Sequence, residues 1–115
     1  MSTLADTMAV AQRVADGVPK GLFIGGEWRE AASDATLIVD DPGTGRKIAE
    51  VADAGVEDAQ AALSAAADRQ QSWSATPPRE RGELLRRAFE EINRRKEELA
   101  QLMTLEMGKP VAASL

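Results

Sequence analysis

Apolar and polar positions change period twice along this chain. From Ser2 to Ala15 apolar residues fall at Leu4, Met8, Val10, Ala11 and Val14, the spacing of a short helix that the Gly17-Val18-Pro19 break closes. From Leu22 the period shortens. Leu22-Phe23-Ile24, Gly25-Gly26 and Glu27-Trp28-Arg29 read as a hairpin near 22-29, two short strands around a diglycine turn where positive φ carries no penalty. Leu37-Ile38-Val39 gives a strand near 37-39, ended by the turn formers Asp40-Asp41-Pro42-Gly43-Thr44-Gly45, and Ile48 to Val51 gives another near 48-51.

From Gly55 the helical period returns. Val56, Ala59, Leu63, Ala66, Gln70 and Trp73 recur at three- and four-residue steps, with Glu57 and Asp58 in the first turn, where the helix dipole favours carboxylates. Ser72 to Thr76 interrupts that pattern. Thr76-Pro77-Pro78 restarts it, Thr76 as the expected N-cap, and Leu84, Leu85, Ala88, Phe89 and Ile92 form one apolar side. An unbroken helix from Pro78 to Met107 would measure about 45 Å, too long for a compact domain of this size, so a break is expected near Asn93-Arg94. The last of these three amphipathic helices carries Leu99, Leu102, Met103 and Glu106 or Met107 and ends at Gly108, with Pro110 as the stop and Met103 and Met107 as core filler. Strands followed by helices make the expected class α+β.

Composition narrows the chemistry. The 115 residues hold no cysteine and no histidine, which removes disulfides, thiolate sites and the commonest general base. A net charge of -5 argues against nucleic acid as partner. Residues 79–96 carry 7 basic and 4 acidic side chains, a conceivable anion surface. There Glu80, Glu83, Glu90 and Glu91 interleave with the arginines at about one helical turn, however, so a solvated, ion-paired face is the preferred reading. No apolar run approaches bilayer length, and the N-terminus lacks a basic segment followed by a continuous apolar one. No membrane contact and a cytoplasmic location are therefore expected.

Two phosphate-loop readings fail. Gly43-Thr44-Gly45 is followed by isoleucine at position 48 and then by a strand pattern, so a structural turn is expected there. Gly108-Lys109 is followed by proline and lacks the upstream glycine of a P-loop.

Taken in order, Phe23-Ile24-Gly25-Gly26-Glu27-Trp28, Asp41-Pro42-Gly43-Thr44-Gly45, Val56-Glu57-Asp58-Ala59, Trp73, Pro77-Pro78-Arg79-Glu80-Arg81 and Leu105-Glu106-Met107-Gly108-Lys109-Pro110 form a series. That series resembles the N-terminal region of the NAD(P)-dependent aldehyde dehydrogenases, from about Gly21 to the last residue. Leu102 to Pro110 is similar in particular to the succinate-semialdehyde dehydrogenases. Departures are small: Asp41 stands where many members have asparagine before the proline, and Gly55 where a hydroxyl N-cap is common.

The resemblance implies an α/β enzyme of which this chain is an incomplete part. Residues 1-20 would form an N-terminal arm or short helix, and 21-115 the first part of the cofactor-binding domain. It implies oxidation of an aldehyde by a cysteine thiolate, an oxyanion hole, hydride transfer to NAD or NADP and a glutamate-activated water. All those groups lie, in the family, beyond Leu115. No catalytic, cofactor-binding or metal-ligating residue is therefore assigned within the chain, and neither turnover nor dinucleotide binding is expected of it alone. In some members a loop matching Val39-Asp40 and a carboxylate matching Glu106 line a monovalent-cation site. The preferred reading of Glu106 is the plainer one, a helix-end residue with local hydrogen bonds.

Implied partners are the remainder of the aldehyde dehydrogenase fold or full-length subunits of a family that is usually homo-oligomeric. Alone, the chain is expected to be marginally stable and to expose apolar helix faces. Two other readings are a small non-enzymatic α-helical or α+β interaction module, supported by the lack of an active-site constellation, and a truncated regulatory paralogue that joins intact subunits.

Overall fold

The computed structural model describes residues 3–115. In chain order the elements are α1 (Leu4–Gly17), β1 (Leu22–Ile24), β2 (Glu27–Arg29), β3 (Thr36–Asp40), β4 (Lys47–Ala52), α2 (Val56–Ala75), α3 (Pro78–Arg94), α4 (Lys96–Met107) and a 3₁₀ turn (Val111–Ala113). The α+β class holds, and β1–β2 and β3–β4 form separate two-stranded sheets. The chain divides into two compact units. One comprises the residues through Lys20 with Leu37–Val51 and Ile92–Leu115, the other Gly21–Thr36 and Ala52–Glu91.

In the first unit, Thr3 and Asp6 start α1 reciprocally. The Asp6 N–H donates to the Thr3 hydroxyl at 3.1 Å, and the Thr3 N–H donates to the Asp6 carboxylate at 2.9 Å. The expected start at Ser2 lies outside the described residues. Ala11 and Ala15 are buried with Ile48 of β4 and Leu105 of α4, and Val39, Ala49 and Leu102 pack against them. Alanines let α1 approach α4 closely, and Ala100 of α4 is fully covered. The Gln12 side-chain amide donates to the Ile48 carbonyl at 3.0 Å, tying α1 to β4.

The seating of α4 differs from its periodicity. Met103 and Met107, expected as core filler, are 37% and 66% exposed, while Leu105 is buried. The neighbours, α1 and Ile48, choose the inward face, and residue spacing alone does not contain them. The break before α4 falls at Arg95, one residue past the expected Asn93-Arg94. Gly108 closes α4 in the left-handed region at φ 74°, its N–H donating to Thr104 at 2.9 Å.

The β3–β4 turn is held by Asp41, which is buried. Its carboxylate accepts from the Gly43 N–H at 2.8 Å and from the Thr44 hydroxyl at 2.7 Å, and its carbonyl accepts from the Gly45 N–H at 2.7 Å. The Thr44 hydroxyl first, and the Gly43 amide next, hold the Asp41 carboxyl below the usual aspartate range. A depressed folded value stabilises the turn fully above the ordinary value of about 3.9 and loses that contribution as pH falls through the lower folded value. The Gly43 amide is therefore expected to lose hydrogen-exchange protection selectively below that range. Asp41→Asn, which keeps an acceptor and cannot ionise, abolishes the dependence. Because Asp6 and Glu83 are shifted the same way, only this local probe isolates the turn.

In the second unit, β1 and β2 pair antiparallel, Leu22 opposite Arg29, Phe23 opposite Trp28 and Ile24 opposite Glu27. Gly25 and Gly26 make the turn at φ 64° and 88°, the backbone that two-residue hairpins require. Phe23 and Trp28 pack across the strands with ring centroids 5.0 Å apart and ring planes tilted by 44°.

Asp58 of α2 is 4% exposed and accepts from the Gly55 N–H at 2.9 Å and from the Ala32 N–H at 3.0 Å. Gly55 has no side chain to return the bond, so Asp58 alone supplies the side-chain cap of α2. The helix runs on to Ala75 through the polar stretch expected to interrupt it. The hydroxyls of Ser72, Ser74 and Thr76 donate back to the carbonyls of Arg69, Gln71 and Ser72, so these polar side chains find acceptors on the helix itself and the backbone stays helical. Thr76 thus caps the C-terminus of α2 and is not the N-cap expected for α3, which begins at Pro78.

Apolar faces stay open in the second unit. Val56 and Leu63 of α2 are 76% and 71% exposed, as are Leu85 and Phe89 of α3 at 67% and 65%.

Candidate functional site

The structure brings two residues of the candidate cation site to one place. Val39 and Glu106 line the same small cavity, of about 60 Å³, in the first unit. Asp40 ends β3 and is exposed. Most other lining groups are apolar, among them Ala15, Val18, Ile48 and Leu102. Lys20 joins them, a residue that sequence reasoning passed over. Its ammonium donates to the carbonyls of Ala15 at 2.5 Å and Asp16 at 3.4 Å, in the last turn of α1, and to that of Val18, which caps the helix. A lysine just past a helix end is the signal that would have found it, because the dipole and the unpaired carbonyls there both favour a cation.

A monovalent metal ion needs several oxygen donors converging on one point. Among the residues lining this cavity Glu106 is the one carboxylate, and the ammonium of Lys20 already takes three carbonyl oxygens. The residues present do not fit a metal ion.

The arginine-rich stretch of α3 behaves as a self-paired surface. Arg86 donates to Glu83 at 2.7 Å and also to Glu90, and Arg87 lies 3.6 Å from Glu83. The Arg86 guanidinium lowers the Glu83 carboxyl, and Glu83 in turn raises Arg86. Gly43, Thr44 and Gly45 sit in the turn braced by Asp41, as a structural role requires. Among the described residues no group of three or more acidic, histidine or cysteine side chains is arranged to hold a metal. A cysteine–histidine pair is ruled out, since both residue types are absent from the chain. No helix among those residues is long and apolar enough to cross a membrane.

Fold and sequence together define a class. The chain belongs to the aldehyde dehydrogenase family, whose model matches residues 28–115. It is 43% identical over 89 residues to the mitochondrial succinate-semialdehyde dehydrogenase of Rattus norvegicus, a match covering 77% of this chain and 17% of that protein. It is 57% identical over 65 residues to the succinate-semialdehyde dehydrogenase of Paenarthrobacter nicotinovorans, covering 56% of this chain and 14% of that protein. Among solved structures, betaine aldehyde dehydrogenase of Staphylococcus aureus in complex with NAD+ superposes with a TM-score of 0.91 at 30% identity, over 94% of this chain and 22% of that one. The chain thus spans about a sixth of the length of the curated relatives it matches.

Proposed function

We propose that this chain is the N-terminal portion of an NAD(P)-dependent aldehyde dehydrogenase that oxidises succinate semialdehyde to the carboxylic acid, and that its own role there is structural. The 43% identity over 89 residues to a succinate-semialdehyde dehydrogenase carries the reading, and the likeness of Leu102 to Pro110 to that subfamily supports it. The reacting cysteine belongs to the rest of the enzyme, because these residues hold no thiol, and the water-activating glutamate and the dinucleotide contacts belong there with it. Residues 1-20 serve as an N-terminal arm, and 21-115 open the cofactor-binding domain. The open apolar faces of α2 and α3 are covered by the remainder of the fold, in a homo-oligomer. A cytoplasmic setting suits the chain, although the rat relative bears a mitochondrial name.

The purified 115-residue chain is expected to form no reduced nicotinamide from succinate semialdehyde with either NAD+ or NADP+, and to give no heat of specific association on titration with either. The same residues joined to the remainder of the dehydrogenase are expected to turn over. Activity of the chain alone that survives removal of contaminating enzyme overturns the reading.

A further inference from the structure

Lys20 combines two features. Its ammonium meets the carbonyls of Ala15 and Asp16 in the last turn of α1 and of the cap residue Val18, and it lines the cavity that also holds Val39 and Glu106. We propose that the Lys20 ammonium is the resident cation of this cavity and takes the place of a monovalent metal ion there.

The chemistry of the two cations is alike at such a site. Both are hard, singly charged and satisfied by carbonyl oxygens, and both are drawn to the negative end of a helix. The last turn of α1 contains no basic residue of its own, so the charge that completes it comes from Lys20, beyond the Gly17-Val18-Pro19 break. The proline fixes its own φ and has no N–H to donate, which makes the side chain of Lys20 the stronger donor available for those carbonyls. Tethering is the advantage over a free ion, since a covalently attached ammonium loses no translational freedom on binding. Lys20 is half-buried, and with apolar groups forming most of the wall a second cation would meet little screening from its charge.

The test compares the unaltered 115-residue chain with Lys20→Met, which keeps the apolar stem and removes the charge. Thermal unfolding is followed in potassium, sodium and tetramethylammonium chloride at one ionic strength. The unaltered chain is expected to show the same Tm in all three salts. Lys20→Met is expected to melt about 4 °C lower in the tetramethylammonium salt and to recover part of that loss in potassium or sodium. A specific rise of the unaltered chain's Tm in potassium or sodium overturns the proposal. So does a Lys20→Met chain indifferent to all three salts, since the lysine would then be a helix cap alone. If Lys20→Met does not fold, the salt comparison on the unaltered chain decides.

Discussion

Leu105→Asp is expected to dismantle the first unit. Leu105 is 7% exposed and shares its cluster with Ala11, Ala15 and Ile48, of which only Ile48 is another large side chain. Trimming it to alanine would cost about 2–3 kcal/mol in lost burial and residual cavity. Aspartate replaces that apolar side chain with a carboxylate beside Ala11, Ala15 and Ile48, adding a desolvation cost to the lost packing. Set against a total stability of about 5–15 kcal/mol for an ordinary domain, and with a core this alanine-rich, the combination removes the packed state. A helix the length of α1 is marginal alone, so its 14 residues unravel once α4 no longer backs them. The loss is read as a fall in far-ultraviolet helical signal and as free exchange of the Ala11 and Ala15 amides. Retention of native protection at those amides would refute it.

Asp58→Ala carries the next largest effect. The carboxylate satisfies the Gly55 and Ala32 amides at once from a site that is 4% exposed. Alanine strands both donors and removes the one side-chain cap of α2, for an expected loss of about 2 kcal/mol in a denaturant titration. Asp58→Asn, which keeps one acceptor oxygen, is expected to lose less. Equal stabilities for the alanine variant and the parent would show that water replaces the carboxylate without penalty.

Local patterns were legible where local chemistry decides. The diglycine at Gly25-Gly26 gave the hairpin because only that backbone turns two strands in two residues, and the observed positive φ values agree. Gly108 gave the end of α4 for the same kind of reason. Thr76 was misplaced because a hydroxyl between two helices can serve either one, and here it donates backward to Ser72. The inward face of α4 was hidden because α1 and β4, distant in sequence, select it. The second bond of Asp58 reaches Ala32 across 26 residues, a tie no periodicity contains. At the candidate site, Val39 and Glu106 entered through family resemblance, whereas Lys20 belongs to the stretch before the matched region and was found only in space.

Two indole rings remain part-wet, Trp28 at 55% and Trp73 at 41% exposure, the former packed against Phe23. Water around an excited indole draws its emission toward longer wavelengths, and an apolar cover reverses that shift. The hairpin and the end of α2 therefore carry a built-in optical gauge, able to follow the arrival of whatever surface closes over them without any added label.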